Sequence, residues 1–429
     1  MNNSFEKANK TVLVGMTGRL DSTVAAYLLK KQGYKVIGIS LITMDRELIE
    51  KKEEGDEFQT SKNKTVEPEY EVTGSCYVDE LKKVQRICEQ LDIGFYGVDA
   101  KNLYQDLVVD YLVSSRLSGI DFNPCIACNS VKIQILLDKA KYLKADYIST
   151  GHYAKIFTNL QTGECSLLSA NDEAYDQSFF LSALTKDQLK KILLPFGDIR
   201  RVDVEKIAKS LEVDILPSKK KVKNELCFNN DHRLGYFIEK RSPVSLREEG
   251  TIVDYYENIT HGEHNGIYNF KPGDDHLITS DGSALDKDYK VLYCDNRSNI
   301  VYVTKNHNFL WNRLNLSNCV LDDKLDISKP ISVYILVYSS NKKVEGRITI
   351  REGTNVIFEC EEVQKGLLNY NRSVTIYDSN KIGAKILGYG KISAFFHYEK
   401  GLWRVYPEPV EKAENTEEQV GKKAEVMEF

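Results

Sequence analysis

No stretch of about 18 consecutive apolar residues occurs anywhere in the chain, so no membrane-spanning helix is expected. The opening MNNSFEKANK carries no apolar signal region, which points to a cytoplasmic protein without membrane attachment. A surplus of positive charge is missing too: 58 Lys and Arg face 63 Asp and Glu, for a formal net charge of −5. Binding of nucleic acid through bulk charge is thereby excluded, and any such binding must come from local basic patches. The nine cysteines are an odd number scattered from Cys76 to Cys360, which does not read as a disulfide framework. In a reducing compartment they read as chemistry or metal sites before staples. The GK[ST] element of a Walker loop is absent, and so is any internal repeat.

What is present fits two or three domains, because 429 residues exceed one ordinary domain and a 42% hydrophobic share is enough to fold most of them. The first half alternates strand and helix signals. Thr11–Met16 and Lys35–Leu41 read as buried strands around a helix at Asp21–Gln32. Helix, strand and helix follow at about 78–91, 94–98 and 103–117, then a helix at about 129–143 and a strand at Asp146–Ser149. Alternation of this kind implies a doubly wound parallel sheet, an α/β domain over residues 1–205, with the charged stretch 45–70 as a mobile insertion. Residues 206–278, a Lys-rich loop and then helix, read as a small central domain. From 279 to 408 short β-rich runs such as Ile331–Tyr338, Val344–Ile350, Asn355–Glu359, Val374–Tyr377 and Trp403–Tyr406 suggest a C-terminal antiparallel β-barrel. The tail 409–429 has the composition of a disordered segment.

Gly15-Met16-Thr17-Gly18-Arg19-Leu20-Asp21-Ser22 joins the first strand to the first helix. A strand-to-helix turn of this kind points unpaired backbone N–H groups and the positive end of the helix dipole at an anion. Thr17 and Ser22 offer hydroxyls, and Asp21 suits a Mg²⁺ ion beside a pyrophosphate; the plainer reading of Asp21 is a helix cap.

Cys125 and Cys128, in Asn123-Pro124-Cys-Ile-Ala-Cys-Asn129, stand three positions apart at a helix N-terminus, where the dipole favours thiolate. Cys227 follows Lys219, Lys220, Lys221 and Lys223, whose charge favours thiolate as well. Three other readings stand beside reactive thiols: half of a zinc site completed by His261 and His264, a thioredoxin-like redox pair, or buried structural cysteines. No second CxxC exists to support zinc, so no metal is assigned.

Taken in order, these segments resemble the tRNA-specific 2-thiouridylases (the MnmA family), over about residues 11–400. Residues 15–22 resemble the SGGxDS loop of N-type ATP pyrophosphatases. NPCIACN matches that family's NPCxxCN, DYISTGHYA at 146–154 its ADYIATGHYA, and Asp176-Gln177-Ser-Phe-Phe-Leu181 its KDQSYFL with Tyr175 in place of Lys. Glu225-Leu-Cys-Phe228, Gly250-Thr-Ile-Val-Asp254 and His264-Asn-Gly266 follow in family order. The resemblance implies ATP, with Mg²⁺, activating O2 of a wobble uridine. It implies Cys227 as carrier of a persulfide from a sulfur-donor protein, and Cys128 as the thiol that forms a disulfide with it. Cys125 lies where some members have an acid/base Asp. Residues Gly15–Ser22 with Leu41 and Gly151 become ATP contacts. Asn123, Pro124, His152, Tyr175, Asp176, Gln177 and Arg372 become tRNA contacts. A monomer is expected.

The chain departs from the family at Arg19, which replaces a glycine of the pyrophosphate loop, and at Tyr268–Leu277 and Asn371-Arg372, which replace YTIGQRKGL and a GQ pair. Two alternatives follow: a relative thiolating another RNA position, or an inactive RNA-binding paralogue. If the backbone at 19 needs φ > 0, Arg is strained there. Otherwise its guanidinium is expected to fold over the phosphates.

Overall fold

The computed structural model describes residues 9–43, 80–118, 120, 122, 124–216, 237–239, 241–242, 248–275, 277–305, 310–338, 340, 342–351, 355–366, 368, 371–399 and 402–406. The stretch 45–70, the tail 409–429, Asn123, the lysines at 219–223 and Cys227 lie outside them.

Val12, Val14 and Leu13 are all fully buried, although successive side chains of a strand point to opposite faces. Such a strand needs cover on both sides. Strand β1 (Thr11–Gly15) receives it from α1 (Leu20–Lys31) and α2 (Leu81–Gln90) on one face, where Val12 and Val14 meet Ala26, Leu29, Val84 and Ile87. On the other face Leu13 meets α3 (residues 101–117, with a π-helical turn at Gln105–Val109) and α4 (Pro124–Tyr142) through Val108, Leu112, Ile133 and Leu136. With β2 (Lys35–Ile42), β3 (Gly94–Asp99), β4 (Tyr147–Ser149) and a short later strand at Ile192–Leu193, β1 forms a five-stranded sheet, parallel throughout. The strand order is β3-β2-β1-β4 and then 192–193. The order reverses between β1 and β4, and at such a switch point ligands bind outside the carboxyl ends of the strands.

Strands β5 (Lys155–Thr158) and β6 (Cys165–Leu168) pair as a hairpin, after which α5 (Lys186–Leu189) and the edge strand β7 (Ile192–Leu193) follow. Helix α6 (Arg201–Ser210) packs Val204 and Ala208 against Val24 and Ala25 of α1. The first domain therefore runs past the expected limit at 205: Leu216 N–H still donates to Gly18 O at 2.9 Å.

The central unit is a four-stranded sheet of β8 (Gly250–Asp254), β9 (Thr260–His264), β10 (Lys290–Asp295) and β11 (Ile300–Thr304), ordered β10-β11-β8-β9. A boundary at 278 would cut through it, because β11 pairs in parallel with β8 and carries β10 on its other side. Val291, Val301 and Val303 share its core with Ile252 and Ile267.

The C-terminal barrel is formed by six antiparallel strands. They are β12 (Leu310–Leu321), β13 (Ile331–Val337), β14 (Val344–Ile350), β15 (Val356–Lys365), β16 (Ser373–Tyr377) and β17 (Ile386–Glu399). The ring closes by β12 pairing with both β15 and β17, and β18 (Leu402–Tyr406) adds to β17. The α/β sheet and the barrel are thus the ones expected from the sequence.

The barrel is seated on the first domain. Ser169 N–H donates to Ala384 O at 2.8 Å, Tyr338 stacks on Phe179 with centroids 5.3 Å apart, and Tyr389 packs with Ile126. Asp322, its side chain 6% exposed, receives Lys186 at 2.8 Å and Lys385 at 2.6 Å.

Candidate active site

The 15–22 loop leaves the carboxyl end of β1 at the switch point. Gly18 sits at φ +69°, a left-handed conformation that glycine adopts without steric cost. A Cβ there would also lie 3.0 Å from Ile87 and Leu216. Arg19 is the N-cap of α1 with φ −87° and ψ 172°, ordinary extended backbone. Its guanidinium turns to Glu80, Nη2 to Oε1 3.6 Å, rather than over the loop. Reaching a phosphate would require leaving that carboxylate.

The loop is held by its own hydroxyls. Ser22 Oγ accepts from Thr17 N–H at 3.1 Å and donates to Arg19 O at 3.1 Å, and it lies 2.9 Å from Thr17 Oγ1. The first-turn N–H groups of α1 have no intrahelical acceptor, which leaves them suited to an anion. Met16 is buried, its N–H bonded to Ile39 O at 2.7 Å, and Leu41 is buried near the carboxyl end of β2.

Asp21 does not cap the helix, so that reading is corrected: the N-cap position belongs to Arg19 and the Asp21 carboxylate goes elsewhere. Its Oδ1 accepts from Tyr153 Oη at 3.1 Å and pairs with Arg201 Nη1. Burial first, and then the nearby Asp21 carboxylate, push the Tyr153 phenol up, so it stays protonated and donates. Arg201 reaches Glu205 at 3.0 Å through Nε and stands 5.5 Å over the Tyr175 ring. Sequence reading missed Arg201 and Tyr153. Tyr153 sits in the DYISTGHYA segment, and Arg201 opens a helix, but neither position signals by itself that it meets Asp21.

Gly151, after β4, is the second close approach. A Cβ there would fall 2.8 Å from the Asp21 carbonyl carbon, so only glycine lets the 150–153 turn meet α1. His152 Nδ1 is 2.8 Å from Thr150 Oγ1. Gln177 clasps the same turn: its Oε1 accepts from Tyr153 N–H at 3.1 Å and its N–H donates to Tyr153 O at 2.7 Å. Asp176 is likewise occupied with the chain, accepting from Ala170 N–H at 2.9 Å, Ser178 N–H at 3.1 Å and Ser178 Oγ at 2.9 Å. Enclosure pushes its carboxyl up, against these hydrogen bonds. Tyr175 is exposed. Arg372 lies on the barrel just before β16, its carbonyl accepting from Ile392 N–H at 2.9 Å.

Pro124 opens α4, where its missing N–H costs nothing. Cys125 and Cys128 are therefore within the first two turns, three apart and on one face, both half-buried and free of disulfide. Leu136 of α4 abuts Gly15 at the end of β1, within 3.3 Å of where a Cβ would sit. Cys128 stands eight residues nearer the helix start, about 12 Å further along the axis. Because α4 runs antiparallel to β4, that displacement carries the thiols beyond the carboxyl edge, on the side of the 15–22 loop. Among the described residues no group of three or more His, Cys, Asp or Glu is disposed to hold a metal. His264 is fully buried beside Phe270, ring centroids 5.5 Å apart.

A five-stranded parallel sheet with helices on both faces and a loop at its switch point defines a doubly wound α/β domain, and residues 10–231 match the family model described as tRNA methyl transferase HUP domain. The tRNA-specific 2-thiouridylase MnmA of Clostridium acetobutylicum is 32% identical over 376 residues, 87% of this chain and 97% of that protein. Its counterpart in Clostridium perfringens is 31% identical over 381 residues, 88% and 98% of the two chains. That of Clostridioides difficile is 35% identical over 267 residues, 62% and 67%. The chain belongs to the MnmA family.

Proposed function

We propose that the protein is a sulfurtransferase that forms 2-thiouridine in tRNA, at the wobble position, with ATP as activating substrate. The observation that carries this reading is the shared edge: a pyrophosphate-type loop and a thiol pair at a helix start both lie beyond the carboxyl ends of β1 and β4. A methyl transfer would need neither.

In this mechanism the loop amides and hydroxyls of residues 17–22 hold the pyrophosphate of ATP, and O2 of the uridine attacks the α-phosphorus as pyrophosphate leaves. A part-exposed carboxylate beside a phosphate loop suits Mg²⁺, which is held by one or two carboxylates with phosphates and waters. Asp21, with its side chain 38% exposed, is that carboxylate, and a bound Mg²⁺ would supply charge neutralisation. Cys227 carries the persulfide. Its terminal sulfur attacks C2, the Cys128 thiolate attacks Cys227 Sγ and breaks the S–S bond, and AMP departs with the former O2. The Cys128–Cys227 disulfide left behind is reduced by an external thiol. His152 and Tyr175, on the exposed side of the Gly151 turn, face the RNA. Gln177 serves it by fixing that turn, Asp176 by tying the 170–178 segment together, and Arg372 contacts RNA from the barrel.

Mass spectrometry of tRNA nucleosides from a deletion strain tests the reading: 2-thiouridine derivatives should vanish and return with the gene. Unchanged nucleosides would sink it, and loss of another thionucleoside would move the activity to another RNA position. A persulfide adduct that persists in Cys227→Ser would remove Cys227 from its role.

A further inference from the structure

A lysine ammonium that is half-buried and lacks a carboxylate is costly unless something anionic visits it. Lys391 on β17 is such a group. Among the described residues no hydrogen bond or ion pair reaches its ammonium, which lies over the Tyr111 ring, 5.9 Å from its centroid. Burial pushes its pKa down, and among the described residues no carboxylate opposes the shift. By comparison, Lys186 and Lys385 on the same domain seam both meet Asp322.

Around Lys391 the surface is aromatic. Tyr111 on α3 is 46% exposed. Phe122, two residues before Pro124, meets it edge-on with centroids 4.6 Å apart and 73° between planes, which fixes the ring. Tyr389, two residues from Lys391 on the same strand and so on the same face, packs with Ile126 in the first turn of α4 and lies 3.0 Å from Ser373 Oγ. The patch therefore borders the helix start that holds Cys125 and Cys128.

We propose that Tyr111, held by Phe122, and Lys391 form a subsite for one unstacked nucleotide flanking the target uridine, the base on the Tyr111 ring and its phosphate on the Lys391 ammonium. The subsite rests on the tRNA reading above and extends it. An exposed, immobilised aromatic face with an unpaired cation beside it is the pairing by which proteins hold single-stranded nucleotides. Opening a stacked anticodon loop to present one uridine leaves its neighbour without a stacking partner, and Tyr111 supplies one.

The test is binding of a fluorescent anticodon stem-loop RNA with a wobble uridine to the full chain, across a salt series. Tyr111→Ala should weaken binding by about 5- to 100-fold with an unchanged salt slope, and Tyr111→Phe should stay within about twofold. Lys391→Met should reduce the slope of log K against log salt by about one, and Lys391→Arg should retain it. ATP binding and the thermal midpoint should be unchanged in all four. Natural-like affinity in Tyr111→Ala, equal losses in Ala and Phe, or an unaltered slope in Lys391→Met would each overturn the subsite. Natural RNA affinity with impaired acceptance of sulfur from a donor protein would overturn it too, and would assign the patch to that protein. If the natural protein fails to bind the RNA, the tRNA reading falls along with the subsite; if it binds and the variants match it, the subsite falls alone.

Discussion

Two aspartates each tie distant parts of the chain together, and they do it differently. Asp21 meets Arg201 and Tyr153 with its side chain 38% exposed, while Asp322 meets Lys186 and Lys385 with its side chain 6% exposed. Exposed pairs stabilise little, because water competes for both charges, whereas a buried carboxylate stripped of its partners is expensive. The Asp21 carboxylate is therefore accessible to a ligand, with the more covered partner, Arg201, 17% exposed, whereas in the Asp322 clamp it is the carboxylate itself that is enclosed. The site is built around an accessible carboxylate and two glycines, and the seam that orients the barrel is built around an enclosed one.

The sharpest way to break this contrast is at the site. Gly151→Ala should lower RNA-dependent formation of AMP and pyrophosphate by roughly 100-fold or more, because the new Cβ would meet the Asp21 backbone at 2.8 Å and displace the loop. Near-natural turnover would show that the 150–153 turn does not border the reacting groups.

Exchanging the aspartates one at a time should give opposite results. Asp21→Asn should lower AMP formation by at least about tenfold and cost less than about 1 kcal/mol in urea unfolding. Asp322→Asn should cost about 1–3 kcal/mol, discounted from a fully buried pair because Lys186 and Lys385 are 37% and 33% exposed. Its activity per folded molecule should be unchanged. Equal effects of the two variants on both measurements would abolish the distinction.

Acid should probe the Asp322 clamp as well. Burial alone would raise the Asp322 carboxyl, but hydrogen bonds from Lys186 and Lys385 hold it well below the usual carboxylate range. A carboxyl depressed in the folded state contributes its full stability above the unfolded value of about 3.9 and loses it as pH falls below that. Urea midpoints of the natural protein should therefore drop more steeply below about pH 4 than those of Asp322→Asn. Parallel curves would remove Asp322 from the acid response.

Much of this was legible in the sequence, for particular reasons. The sheet was readable because Val12, Leu13 and Val14 are a continuous apolar run, which only a strand covered on both faces needs. The barrel was readable from alternation, as in Ile331–Val337, where Val333, Ile335 and Val337 face inward. The limit at 278 failed because β10 and β11 have the same short β-rich look as barrel strands, and only their pairing with β8 assigns them to the central sheet. The loop and the cysteine pair were local in sequence and stood out. Arg201 lies 180 positions from Asp21, so no spacing rule could join them. Asp176 and Gln177 were assigned to RNA through the family resemblance alone, which carries no information on the backbone contacts that both of them make.

The smallest expected effect on activity concerns Arg19. The left-handed demand of the loop falls on Gly18, at φ +69°, and not on Arg19, at φ −87°. Arginine is therefore unstrained at position 19, and the loop keeps its backbone path. Its side chain turns to Glu80 at 3.6 Å, both side chains largely covered at 16% and 18% exposure. Arg19→Ala should then change AMP formation by less than about threefold, while lowering stability by about 1–3 kcal/mol because the largely covered Glu80 carboxylate loses this partner. Gly18→Ala should do more to activity, because a left-handed alanine costs about 1–2 kcal/mol and its Cβ would crowd Ile87 and Leu216 at 3.0 Å. A tenfold or greater rise in KM for ATP in Arg19→Ala, with kcat retained, would show that the guanidinium leaves Glu80 for the phosphates when ATP binds. Arg19 would then join Asp21 among the contacts that the ligand exchanges.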